Sequence, residues 1–171
     1  NDPERGDQIR QKENRNLFGF SSNLHRFFEL GSWEGKWKSG ISLRKDNSLN
    51  NELSHTANRR ETLERRSYHN IFEENTAVYS EISLNNRKWL FNPGLRLDYF
   101  NFSAQNLLVE AYEKEQLKQA ILSPKLNLIF SPNPRWQFYF KSGKSFHSND
   151  TRVSVAQRRE ILPAAYGSDL G

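Results

Sequence analysis

The chain of 171 residues contains no cysteine and no methionine. Without thiols, disulfide frameworks and thiolate metal sites are excluded, and the redox compartment stays open. No apolar run approaches the about 20 residues that a membrane-spanning helix needs, and the mean hydropathy is -0.88. This excludes helical spans only. A barrel strand needs an apolar residue at every second position over about 9 to 11 residues, so its average hydropathy stays low. The sequence opens Asn1-Asp2-Pro3 with no charged-then-apolar leader, and it reads as a piece excised from a longer protein.

What is present is a surplus of rings. Phe, Tyr and Trp number 12, 6 and 4 in a chain that is 26% charged, so some element with one apolar side must hold them. A net charge of +5 permits nucleic acid, anionic lipid or an acidic ligand as partner and chooses none of them.

Residues 121–150, ILSPKLNLIFSPNPRWQFYFKSGKSFHSND, show the organising pattern. Leu122, Leu126, Leu128 and Phe130 alternate with Ser123, Lys125 and Asn127. After the turn residues Pro132-Asn133-Pro134, Trp136, Phe138 and Phe140 alternate with Gln137, Tyr139 and Lys141. That is an antiparallel hairpin with one apolar and one polar face. Two more hairpins share the pattern. In residues 16–44, Phe18, Phe20 and Leu24 lead to a turn near Gly31, and Trp33, Trp37, Ile41 and Leu43 return from it. In residues 71–103, Val78, Ile82 and Leu84 precede Asn85-Asn86, and Trp89, Phe91, Leu95, Leu97 and Tyr99 follow. The alternation places Phe91, Leu95, Leu97, Leu126, Leu128, Phe138 and Phe140 on one side of a sheet. It places Asn92, Arg96, Asp98, Lys125, Asn127, Tyr139 and Lys141 on the other.

The polar stretches between hairpins read as long loops: residues 1–15, 45–70, 105–119 and 147–160. A short helical turn over Glu61 and Arg65 and a short helix over residues 110–118 are compatible with their spacing. The last residues, ILPAAYGSDLG, look like the approach to another strand. The expectation is therefore an all-β fold, antiparallel hairpins forming part of a transmembrane β-barrel. It is a single partial domain over residues 1–171 with about six strands and no plug domain, tight turns at one end and long loops at the other.

With these residues in hand, NTAVYSEISLNNRKWLFNPGLRLDYF and SPKLNLIFSPNPRWQFYFKSGKSFHSND resemble the barrel of TonB-dependent outer-membrane receptors, and TRVSVAQRREILPAAYGSDLG looks like the loop and strand entry that follow. The likeness covers residues 75–171; before that it is one of pattern. It implies residence in the bacterial outer membrane, contact with outer-membrane lipid, and active uptake of a ferric siderophore, cobalamin or glycan. It further implies that the full-length protein supplies the plug domain and the contact with TonB.

Candidate ligand-binding residues are Arg59, Arg60, Arg65 and Arg66, whose guanidinium groups suit an anionic ferric chelate, competing with a plain solvated loop or contacts to anionic lipopolysaccharide. Arg96, Asp98 and Lys141 would face the lumen, lining a ligand path or hydrogen-bonding a plug. No catalytic residue, metal site or cofactor is expected: His25, His55, His69 and His147 fall at no ligand spacing. Ser145, His147 and Asp150 are near in sequence only, and Arg5-Gly6-Asp7 is a triplet that recurs by chance. A porin or adhesin is the alternative barrel. A soluble nucleic-acid-binding module would put rings and cations on one face, where alternation mostly separates them.

Overall fold

A computed structural model describes residues 8–58, 60–109, 114–147 and 163–171. They form one antiparallel sheet whose strands follow chain order: β1 (Gln8–Leu30), β2 (Trp33–Ala57), β3 (Glu61–Asn85), β4 (Trp89–Asn106), β5 (Lys114–Asn133), β6 (Trp136–Phe146) and β7 (Ala164–Leu170). β7 is the strand toward which the closing residues were read as leading. The segments 1–7, with Arg5-Gly6-Asp7, and 148–162, with Asp150, lie outside the described residues.

Three tight turns share one end. Gly31 opens the β1–β2 turn with φ 61, the left-handed conformation that a two-residue hairpin favours at its first position. The Asn86 carboxamide accepts from the backbone N–H of Lys88 at 2.9 Å and of Trp89 at 2.8 Å. Asn133 accepts likewise from the N–H of Arg135 at 3.0 Å. Both asparagines close turns by mimicking backbone carbonyls.

At the opposite end the long-loop reading needs correction. Residues 45–70 are not a loop: β2 and β3 run on as strands of 25 residues each, joined by a short turn at Asn58, which has φ 50. β1 begins at Gln8, inside the stretch read as loop. Glu61 and Arg65 lie on β3, and residues 114–118, read as compatible with a helix, belong to β5. The cause is physical. Beyond the apolar band both faces of a strand meet water, so alternation vanishes from the sequence while β2 still pairs with β1 on one side and β3 on the other.

Residues paired across an antiparallel ladder share a face. Register places Gly35, Leu84, Phe91, Leu128 and Phe140 in one row, and Ile41, Val78, Leu97 and Leu122 in another. The opposite face carries Tyr79, Arg96 and Ser123, and Asn92, Asn127 and Lys141. The expected division of side chains holds. The apolar face is the exposed one: Phe18 is 64%, Leu95 49% and Phe138 51% exposed. From Trp89 to Tyr99 the strand rises about 33 Å, and a tilt of about 45° brings this to about 23 Å, the height of an outer-membrane apolar band. Polar atoms within that band find partners, as where the Trp37 indole N–H donates to Ser80 Oγ at 2.9 Å. Stacked pairs Trp89–Phe130 and Trp136–Phe138, with centroids 4.2 and 6.2 Å apart, mark the turn end as an aromatic girdle.

Candidate functional site

The polar face is the crowded one. Ala77, Asp98, Phe102 and Ile121 are buried on it without a second layer of described structure over them, as on the concave side of a curled sheet. Three zones follow one another along this wall.

Nearest the turns, Lys125 Nζ reaches Glu81 Oε2 at 2.5 Å, Asn127 donates to Asn92 at 3.0 Å, and Lys141 lies 5.0 Å from the Tyr139 ring centroid. Further up, Arg96 forks onto Asp98 at 2.7 and 2.8 Å, and Asn75 donates to the same carboxylate at 3.2 Å. Asp98 is only 1% exposed, so this fork is what makes its burial tolerable.

Past the apolar band, Asp46 accepts from Arg15 Nε at 2.8 Å, from Arg15 Nη2, and from Arg44 at 3.3 Å. The hydrogen bond from Arg15 is the main reason that the Asp46 carboxyl is held below its ordinary range, burial opposing it and Arg44 assisting. Beside these charges stands an apolar cluster, Phe102, Ala104 and Ile121, with Phe100 edge-on to Phe146 at 5.5 Å. A groove of about 240 Å³ runs between the two, lined by Arg44, Asp46, Glu73, Glu74, Asn75, Arg96, Asp98, Phe100 and Phe146. It sets four carboxylates and two guanidiniums, each guanidinium already bonded to an aspartate, beside two ring faces, a mixed lining that suits a ligand with both polar groups and apolar surface.

The sequence-selected residues do not converge on one site. Arg96, Asp98 and Lys141 share the concave wall. Arg60 sits in the far β2–β3 turn, Arg65 lies 4.9 Å from the Tyr68 ring centroid and 3.7 Å from Glu52, and Arg66 is 3.9 Å from Glu64. Arg59 lies outside the described residues. Arg65 stands about 46 Å along β3 from Tyr79, the partner of Arg96. The groove residues Arg44, Asp46, Phe100 and Phe146 were missed, although continuing the alternation of β2 two residues past Arg44 would have set Asp46 on its face. Among the described residues no group of three or more His, Cys, Asp or Glu could hold a metal ion.

An antiparallel sheet with a lipid-suited convex face, an aromatic girdle and a charged concave wall defines the class: part of a transmembrane β-barrel. Residues 1–161 match the family model described as TonB dependent receptor-like, beta-barrel. The chain belongs to that family. It is similar in fold to the crystal structure of ferric citrate transporter FecA in the unliganded form, with a TM-score of 0.81 and 16% identity, covering 95% of this chain and 25% of that one. The chain thus spans a quarter of the length of that structure, and no curated protein matches it.

Proposed function

We propose that this chain forms part of the barrel wall of a bacterial outer-membrane receptor that takes up its ligand by TonB-dependent transport. The observation that carries the reading is the groove between Arg44 and Arg96 on one side and Phe100 and Phe146 on the other, inside the barrel just past the apolar band. A ferric siderophore, cobalamin or a glycan is the ligand class.

In this reading Arg60, Arg65 and Arg66 attract the ligand at the far tip, where field rather than contact matters. Arg96 and Asp98 hold the wall open at mid-height. Lys141 and Tyr139 face the turn-proximal interior, where a plug domain supplied by the longer protein would pack, and TonB acts through that plug. The chain is one partial barrel domain, and no catalytic step is assigned to it.

The test uses the full-length receptor in whole cells, supplied in turn with radio-iron ferric citrate, cyanocobalamin and a maltodextrin. Energised uptake of at least one, abolished on deleting TonB and weakened by Arg44→Gln, supports the reading. TonB-independent flux, or uptake of none of the three, overturns it.

A further inference from the structure

Two prolines stand in adjacent strands inside the apolar band, Pro93 on β4 and Pro124 on β5. Neither has an N–H to give, yet the β4–β5 ladder runs unbroken past both, pairing Pro93 with Leu126 and Leu95 with Pro124. Each nitrogen is therefore turned to the other neighbour, Pro93 toward β3 and Pro124 toward β6. Where a strand crosses hydrocarbon, a carbonyl deprived of its donor has no water to turn to.

The two places resolve this differently. On the β3 side, pairing lapses after Glu81 with Gly94 and resumes in the same register at Leu84 with Phe91. Asn92, the residue before the proline, closes the gap: its carboxamide donates to the Ile82 carbonyl at 3.0 Å and to Ser83 Oγ at 2.9 Å. On the β6 side the residue before the proline is Ser123. Its side chain is too short for that reach, and its hydroxyl is buried with no hydrogen-bond partner among the described residues. Pairing ends at Lys125 with Gly143 and does not resume, although β6 keeps its ladder with β7 as far as Phe146 with Ala164.

Past Gly143 the two strands part. Their register would set Phe146 beside Leu122 on the convex face, but its ring stands edge-on to Phe100 of β4 at 5.5 Å, in the concave groove. Two clefts meet at the parting. One of about 270 Å³ takes in Arg96 and Ser123 of the concave face, and one of about 460 Å³ takes in Leu126 and Phe140 of the convex face. Pro124, Lys125 and Lys144 line both.

We infer that the wall holds a lateral slot: β5 and β6 stand apart in the half of the apolar band away from the tight turns, and the concave interior opens there toward the lipid side. Pro124 opens the slot by withholding a donor, and Ser123 leaves it open by failing to replace that donor as Asn92 does. The parting rests on the ladder alone; that it opens on lipid rests on the membrane placement proposed above.

The experiment follows disulfide formation under copper-phenanthroline in the full-length receptor in outer-membrane vesicles. Cysteines replacing Asn127 and Lys141, which pair in register below the slot, are the reference. Cysteines replacing Ser123 and Ser145 stand where the same register would pair them above it. Bridging needs Cα atoms about 4.4 to 6.8 Å apart, so the second pair should oxidise at least about 10-fold more slowly. Adding Pro124→Ala, which restores the donor, should bring it within about twofold of the reference. Amide hydrogen exchange gives a readout without cysteines. In the unsubstituted receptor residues 144–146 should exchange about 10-fold faster than residues 138–142, so the slot is tested even where a variant fails to assemble. Ser123→Asn, which copies the Asn92 device, should slow residues 144–146, and Asn92→Ser should speed residues 82–84, each by about 10-fold. Equal oxidation of the two cysteine pairs, or equal exchange in the unsubstituted receptor, means a closed wall and overturns the slot. A slow second pair that Pro124→Ala does not speed, or exchange that Ser123→Asn leaves unchanged, overturns it as well. Vesicles that meet every expectation here yet take up no ligand through TonB contradict the proposed function and leave the slot standing.

Discussion

Lys125 on β5 and Glu81 on β3 are bonded at 2.5 Å across the strand between them. They meet over Gly94: a Cβ there would stand 2.6 Å from Lys125 Cε and 3.3 Å from Glu81 Cβ. The glycine is a gap in the wall through which two side chains join non-adjacent strands. Gly40 plays a similar part under the Tyr79 ring.

Gly94→Ala should push the lysine aside and cost about 1 kcal/mol, because the pair is partly exposed and worth little more than that. Urea unfolding of the full-length receptor in lipid checks it. In a double-mutant cycle with Lys125→Gln the two losses should fail to add, whereas full additivity would mean that the gap is not what permits the pair.

Arg96→Ala should be costlier than Gly94→Ala, by about 3 kcal/mol against the wild type, since it strands the buried Asp98 carboxylate with Asn75 as its one remaining side-chain donor among the described residues. Arg96→Ala combined with Asp98→Ala should recover part of the loss. The same unfolding assay reads both, and a double variant no better than the single would contradict the stranded-charge account.

These relationships show what could be read from residues alone. Within the band, one apolar face beside one polar face made the strands and their sides legible, and Gly31, Asn86 and Asn133 announced the turns. Past Leu43 the chain offers Lys45, Asp46, Asn47 and Ser48, polar on both faces, and the period is lost although the ladder continues. Asn50 hides the strand further. With φ 52 it sits in a bulge between Leu49, which pairs with Asn14, and Glu52, which pairs with Lys12, so the extra residue reverses the alternation. The site suffered for the same reason: the Arg15–Asp46 fork links positions that only an unbroken β1–β2 ladder brings together.

Acid should loosen the projecting strands before the band. The carboxyl of Asp46 is lowered chiefly by the hydrogen bond from Arg15, and that of Glu52 chiefly by those from Ser54 and Arg10. A group with a depressed folded pKa binds its proton more readily when unfolded. Its stabilisation is therefore complete above the unfolded carboxylate value of about 4 and is lost as pH falls through the lower folded value. Limited proteolysis by pepsin should show cleavage in residues 45–57 rising below about pH 4, with Asp46→Asn already sensitive at pH 4 to 5. A flat profile in the wild type would contradict this.

Adjacent residues of β6 should respond in opposite ways. Phe140→Lys places a charge on the lipid face and should destabilise the barrel by about 2 to 4 kcal/mol near the midplane. Lys141→Leu alters the concave face and should leave assembly nearly unchanged. Heat-modifiable gel migration of the full-length receptor distinguishes them, and a greater loss from Lys141→Leu would reverse the assigned faces.

The central claim is that one face of this sheet meets lipid and the other the barrel interior, and site-directed spin labelling tests it most directly. The segment has no cysteine, so each introduced thiol is its only label. In the lipid-embedded receptor, labels at Leu95, Leu97, Leu128 and Phe138 should be relaxed more by oxygen than by a water-soluble nickel chelate. Labels at Arg96, Asn127, Tyr139 and Lys141 should show the reverse, alternating residue by residue along each strand. Equal accessibility of the two sets to oxygen would contradict the barrel.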